Sequence, residues 1–225
     1  MNSIFGMTLA QLLIRIPAVL IALTFHEVAH GYAAYRLGDP TAKSLGRLSL
    51  NPLKHLDPIG ALCLLVFRFG WAKPVPINSR YFKNPRRDMA LTALAGPLSN
   101  FVMAFAGILL IHLFATLFYY VSPNAGGYLL NVEQVLLTFL STFAVINVSL
   151  GVFNLIPVPP LDGSRIFLTF LPPKYYFGVM KYERYIMLAL MLLLWSGLLS
   201  TPLSLAVNGV LSGMEWIVEL IPFII

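Results

Sequence analysis

Two histidines four residues apart, His26 and His30, lie in the segment LTFHEVAHGYAAYRLG (Leu23–Gly38), with Glu27 beside the first of them. On a helix, four residues turn through roughly 400°, so both imidazoles leave one face about a turn apart and can grip one metal ion. A glutamate next to the first ligand is placed to polarise a metal-bound water. The donor set is one for zinc-assisted hydrolysis. Its setting is a run apolar enough to cross a membrane, where an ionisable side chain costs several kcal/mol and persists only with a partner or a task.

Catalytic zinc takes three protein ligands and keeps a fourth position for water. Asp162 is the leading candidate for the third ligand. Pro157, Pro159 and Pro160 stop regular helix just before it and free the chain to turn inward. Its neighbours are apolar, so its charge calls for a cation. Two other readings compete: an ion pair between Asp162 and Arg165, and ligation by His55 in its place. His55, in a polar loop between Lys54 and Asp57, fits solvation or hydrogen bonding more simply. His112, beside Ile111 and Leu113, reads as a hydrogen-bonded histidine between helices.

The elements that must position these groups are membrane helices. Of 225 residues, 58% are hydrophobic and 11% charged, and mean hydropathy is +0.80. Soluble domains run near about 25% charged, so this composition predicts an all-α integral membrane protein. A single domain over 1–225 is expected, with a core at 8–165 and C-terminal membrane segments within 183–223. The net charge of +6 comes from basic loops and requires no nucleic acid. Cys63, the one cysteine, excludes an internal disulfide and a thiolate zinc site, and reads as an apolar filler. No cation precedes Arg15 and the first apolar run holds the histidines, so a cleaved leader is not expected.

Along the chain, long helices are predicted from about Thr8 to Tyr35, Met89 to Tyr120 and Gln134 to Phe153. Two tail segments follow, near Tyr185–Leu199 and Leu203–Ile221, split at Ser200-Thr201-Pro202. Ile59–Phe67 is too short to span and reads as re-entrant. The pieces LGRLSL and AKPVPIN read as extended chain. The whole is a multi-pass helical bundle of about 5–6 membrane segments. Basic residues place the Arg36–Lys54, Lys73–Arg87 and Arg165–Arg184 loops in the cytoplasm, and the turn Ser122–Asn131 outside. His26 then lies on the order of 15 Å from the cytoplasmic end of its helix.

Three motifs in order, HEVAH (His26–His30), AGPLSN (Ala95–Asn100) and NLIPVPPLDG (Asn154–Gly163), resemble the site-2 protease family of intramembrane zinc metalloproteases, peptidase family M50. The likeness runs from about Leu12 to Arg165 and is nearest the compact prokaryotic branch without PDZ or CBS domains. It implies that His26, His30 and Asp162 bind one Zn2+ and that Glu27 is the general base. It also implies that Asn154 lies near the site, holding substrate backbone or the oxyanion, and that Asn100 helps receive substrate. For Asn100, hydrogen bonding between helices competes, with Gly96 and Ser99 allowing close contact.

The expected substrate is a transmembrane protein, cut within or near its membrane helix by an enzyme of the cell membrane whose site lies nearer the cytoplasm. Such a helix must be unwound to expose its peptide bonds. Pairing with Leu45–Leu50 by β-addition is expected, rather than with Pro74–Asn78, where proline removes donors. A silent zinc-binding scaffold and a metal-ion transporter are the alternatives. Glu27 argues against the first, and the gathering of ionisable groups around one site argues against the second.

Overall fold

Thr8 sets the first helix going. Its side chain accepts from the Gln11 N–H at 3.3 Å, and the Gln11 side chain accepts from the Thr8 N–H at 3.0 Å, a reciprocal cap that satisfies donors the helix start leaves free. Helix α1 then runs over Leu9–Arg36 with Pro17 inside it. It stops where Gly38 adopts φ +110°. The Asp39 N–H reaches back to the Ala34 carbonyl at 2.9 Å and the Gly38 N–H to Tyr35 at 3.1 Å, the paired bonds of a Schellman stop.

The computed structural model describes residues 8–57, 60, 72–121, 127–172, 178–179 and 181–221, with backbone alone at 121 and 127–130. After α1 come α2 (Thr41–Ser44), two 3₁₀ turns (Pro52–Lys54 and Ser79–Tyr81), α3 (Pro85–Val121) and α4 (Gly127–Asn154). The short α5 (Asp162–Leu168), α6 (Glu183–Trp195) and α7 (Ser200–Glu219) complete the order. Helices α1, α3 and α4 pack against one another as a triangle, α5 lies against α3, and α7 lies against α4 and α3.

Small residues let these helices approach closely. A Cβ at Gly151 would come within 2.7 Å of the Phe101 ring, and one at Gly107 within 3.3 Å of Phe143. Polarity is inverted relative to a soluble bundle. Thr24, His26, Glu27, His30, Asn100 and Asn147 are buried, while Leu13, Leu98, Val102, Leu113, Leu117 and Val135 point outward. Such a surface suits lipid, not water.

Among the described residues, three helices are long and apolar enough to cross a membrane, at Leu9–Arg36, Pro85–Tyr120 and Asn131–Asn154. Counting α6 and α7 as one span broken by 85° makes four. This corrects the 5–6 segments expected from sequence. The thirteen residues of α6 rise only about 20 Å, short of the roughly 30 Å hydrocarbon core. The chain breaks after Trp195, not at Thr201 and Pro202, because proline is tolerated in the first turn of α7. The re-entrant reading of Ile59–Phe67 lies, Gly60 apart, outside the described residues, as do 122–126, while the rest of the turn expected over Ser122–Asn131 is the start of α4.

The two pieces read as extended form no named strand among the described residues. They are held by specific bonds instead. Leu56 and Ala72 make an isolated antiparallel bridge, and Arg47 Nη2 donates to the Lys73 carbonyl at 2.7 Å. The buried Asp39 accepts from the N–H groups of Thr41 (2.9 Å) and Asn78 (2.7 Å), tying α2 to the second piece. Leu48 and Val75 both close on Gly31, where an added Cβ would stand 2.7 and 3.0 Å from them. Both segments therefore rest on α1 at the residue that follows His30.

Candidate metal centre

The helical spacing of His26 and His30 brings their rings edge to face, with centroids 4.5 Å apart. Both are buried. Asp162 enters from the first turn of α5, and its Oδ2 stands 3.1 Å from the Nε2 of each histidine. The two Nε2 atoms are 3.0 Å apart. Residues 136 positions apart in the chain thus present one atom each to a common point.

Asp162 reaches that point because of its glycine neighbour. A Cβ at Gly163 would run into the carbonyl oxygens of Leu155 and Ile156, so glycine lets α5 dock on the end of α4. On the other side, a Cβ at Gly96 of α3 would collide with the His30 ring and come within 2.7 Å of His26. Glycine at 96 is the space the imidazoles occupy.

Hydrogen bonds at the far nitrogens fix which face of each imidazole is free. His26 Nδ1 lies 2.6 Å from Asn100 Oδ1, and His30 Nδ1 lies 2.7 Å from the Thr92 carbonyl. Both partners are acceptors, so both Nδ1 atoms carry the proton and both Nε2 atoms present a lone pair. Asp162 Oδ2 is a buried oxygen with no donor among the described residues.

Three electron-rich atoms at 3.0–3.1 Å repel one another unless a cation lies between them. Edges of a tetrahedral zinc site with bonds of 2.0–2.1 Å are roughly 3.3 Å. The residues present therefore fit the metal: two neutral imidazoles, one carboxylate, and partners behind the imidazoles that set their tautomers. His26, His30 and Asp162 are also the group of ligating side chains that converges among the described residues.

Glu27 is buried next to this triangle, and its Oε2 accepts the Val75 N–H at 2.8 Å. Of the other residues singled out from sequence, Asn100 is fully buried and engaged on both sides. Its Oδ1 faces His26, and its Nδ2 donates to the Ala22 carbonyl (3.2 Å) and Asn147 Oδ1 (2.9 Å). Asn154 is half-buried near the end of α4, its Nδ2 donating to the Leu150 carbonyl at 3.0 Å. His55 is buried away from the triangle and pairs through Nε2 with the Ser49 carbonyl at 2.7 Å. Arg165 turns to Met89, its Nη1 3.7 Å from the sulfur, whereas Asp162 faces the two histidines.

Sequence reasoning missed Val75, Thr92 and Asn147. Thr92 contributes a backbone carbonyl, which no residue type announces. Val75 carried a signal, since Pro74 and Pro76 on either side of it have no N–H and leave it the lone donor of the three. Asn147 carried one as well: an amide in an otherwise apolar span needs a partner.

Inverted polarity around a buried His-His-Asp cluster defines a helical membrane metalloprotein. Comparison with known proteins agrees. Residues 125–195 match the model of peptidase family M50. YwhC of Bacillus subtilis strain 168, named as a candidate zinc metalloprotease, is 44% identical over 155 residues, covering 69% of this chain and 68% of YwhC. Rip2 of Mycolicibacterium smegmatis, named likewise, is 31% identical over 149 residues, 64% of this chain and 52% of Rip2. The zinc metalloprotease MJ0392 of Methanocaldococcus jannaschii is 32% identical over 174 residues, 77% of this chain and 37% of that protein. The chain thus spans about half or less of the latter two relatives. No solved structure matches. The chain belongs to peptidase family M50, the site-2 protease family, and is a metallohydrolase whose cofactor is zinc.

Proposed function

We propose that this protein hydrolyses peptide bonds within or near the transmembrane helices of membrane-protein substrates. The observation that carries the reading is the placement of Glu27. A buried carboxylate sits one residue from a metal ligand, within a bundle whose outer surface suits lipid. A scaffold that only held zinc would need no base there.

His26, His30 and Asp162 hold the ion. Bound there, zinc would supply a Lewis acid that lowers the pKa of water toward neutrality and polarises a carbonyl. Glu27, tethered to Val75 through Oε2, keeps Oε1 to take a proton from the attacking water and to hand one to the departing amine. Asn100 keeps the His26 ring turned toward the site, and to Asn154, at the end of α4, we assign a hold on the substrate backbone. A substrate helix must lose its own hydrogen bonds before its carbonyls can enter, so helix-weakening residues in the substrate favour cleavage. The basic loops at both ends of the α1–α3 connection support a site nearer the cytoplasm.

The test uses purified wild type and Glu27→Gln, each with zinc content measured, in vesicles carrying a transmembrane reporter. Wild type is expected to cut the reporter, and the variant to keep zinc and lose cleavage by about 10²–10⁴-fold. Equal cleavage by both removes Glu27 from the reaction. Zinc uptake into the vesicles without cleavage replaces proteolysis by transport, and bound zinc with neither leaves a scaffold.

A further inference from the structure

Asn147 lies fully buried on α4, and its side chain touches neither the metal ligands nor Glu27 through any bond in the site just described. What it does is fixed by a backbone oxygen one turn away. Asn147 Nδ2 donates to the Phe143 carbonyl at 2.9 Å. A carbonyl only accepts, so the amide of Asn147 must turn its NH2 toward Phe143 and its Oδ1 toward α3.

That oxygen in turn orients Asn100. Asn100 Nδ2 gives one N–H to Asn147 Oδ1 (2.9 Å) and the other to the Ala22 carbonyl (3.2 Å). Both partners accept, so Asn100 Oδ1 is left facing His26 Nδ1 at 2.6 Å. An acceptor there requires the proton on Nδ1, which in the neutral ring leaves the lone pair on Nε2, toward Asp162. Each link has one allowed polarity, and the chain starts at Phe143 O.

We propose that Asn147 is a positioning residue for zinc binding: through Asn100 it holds His26 in the tautomer that can ligate. The inference rests on the metal-centre reading above and deepens it. If Asn147 is replaced by an apolar residue, a flip of the Asn100 amide sacrifices one bond, to Ala22, in place of two, and His26 can answer it by moving its own proton. A flipped amide would offer N–H groups to His26 Nδ1 and draw the imidazole proton to Nε2, where it blocks the metal. The partners behind a ligating histidine are worth about 10–100-fold in metal affinity.

The experiment compares wild type, Asn147→Leu and Asn147→Asp in detergent, by histidine ¹⁵N NMR of the metal-free proteins, chelator-competition zinc affinity and thermal unfolding. His26 is assigned from its missing signal in His26→Gln. Wild type is expected to show His26 solely as the Nδ1–H tautomer and to bind zinc. Asn147→Leu is expected to show mixed tautomers and about 10–100-fold weaker zinc. Asn147→Asp keeps an acceptor toward Asn100, and burial keeps the introduced acid protonated to serve Phe143, so its tautomer and affinity should stay close to wild type.

A purely packing role predicts the reverse ranking, because a leucine suits a membrane interior better than an acid. Unchanged tautomer and affinity in a folded Asn147→Leu overturns the proposal. So does an Nε2–H tautomer of His26 in wild type, which needs no variant to fold. Failure of wild type to bind zinc at all would instead strike the metal-centre reading.

Discussion

Glu27 Oε2 accepts the backbone N–H of Val75 at 2.8 Å, across 48 residues of chain. Val75 stands between Pro74 and Pro76, which have no N–H to offer and hold their φ near −65°. The stretch is therefore stiff and presents a single donor at the one place where the carboxylate needs it. Fixing one oxygen of a base leaves the other in a defined position for proton transfer.

The donor, not the side chain, should matter. Val75→Pro abolishes the N–H and is expected to lower kcat by about 10–100-fold with zinc content unchanged, since a misplacement near 1 Å costs on that scale. Val75→Ala keeps the N–H and loses only packing on Gly31, so its kcat should lie near wild type. Equal loss in the two variants would show that packing carries the effect.

Gly96 is the second position where backbone proximity decides. A methyl there occupies the volume of the His30 ring, and neither a buried ring nor the α3 backbone can yield freely. Gly96→Ala is expected to cost about 1–3 kcal/mol of stability and to weaken zinc binding. Chelator titration together with a melting curve measures both. Zinc affinity at the wild-type level would mean that the imidazoles have room to move.

Much of this centre was legible before any coordinates. The four-residue spacing of His26 and His30 dictates a shared helix face, and an acid at Asp162 amid apolar residues and prolines could hardly be idle. The three long helices followed from apolar runs, within a few residues at α1 and with a start seven residues early at α4. The shortfall in spans was not legible, because composition alone does not reveal that the chain breaks after Trp195 and turns by 85°. Nor was the hydrogen-bond shell behind the ligands. The roles of Val75 and Thr92 are played by main-chain atoms, and the partnership of Asn100 with Asn147 joins residues on two different helices.

Asp162→Asn tests the third ligand. The amide is isosteric but neutral, and it sets a weaker donor against two lone pairs 3.1 Å away. Zinc should be lost at lower chelator concentration, and proteolysis should fall with it. Because zinc binds the folded state, the ion raises thermal stability by an amount that grows with the logarithm of its affinity. The rise in Tm on adding zinc should therefore shrink in this variant. An unchanged rise would leave the carboxylate outside the coordination sphere.

Orientation across the membrane can be read from single cysteines. With Cys63 replaced by Ala, a cysteine at Lys54 or at Asn131 reports one end each of the helical bundle. Basic loops stay in the cytoplasm, so a membrane-impermeant maleimide added to intact cells should label position 131 and spare position 54. The opposite pattern would place the metal centre nearer the outer face.

The substrate-binding edge is the last test. In Pro74–Asn78, the N–H groups of Val75 and Asn78 are committed to Glu27 and Asp39, and two prolines have none. That segment has little left to offer an incoming strand. Leu45–Leu50 lies on the same glycine of α1 through Leu48, and its Leu50 side chain is exposed. Strand addition needs main-chain donors at alternate positions. Leu48→Pro and Leu50→Pro lie on one face of the segment and remove two of them. Each is expected to slow cleavage of a transmembrane reporter while zinc affinity holds, and a helix-destabilised reporter should recover part of the rate. Wild-type cleavage by both variants would move the pairing edge elsewhere in the α1–α3 connection.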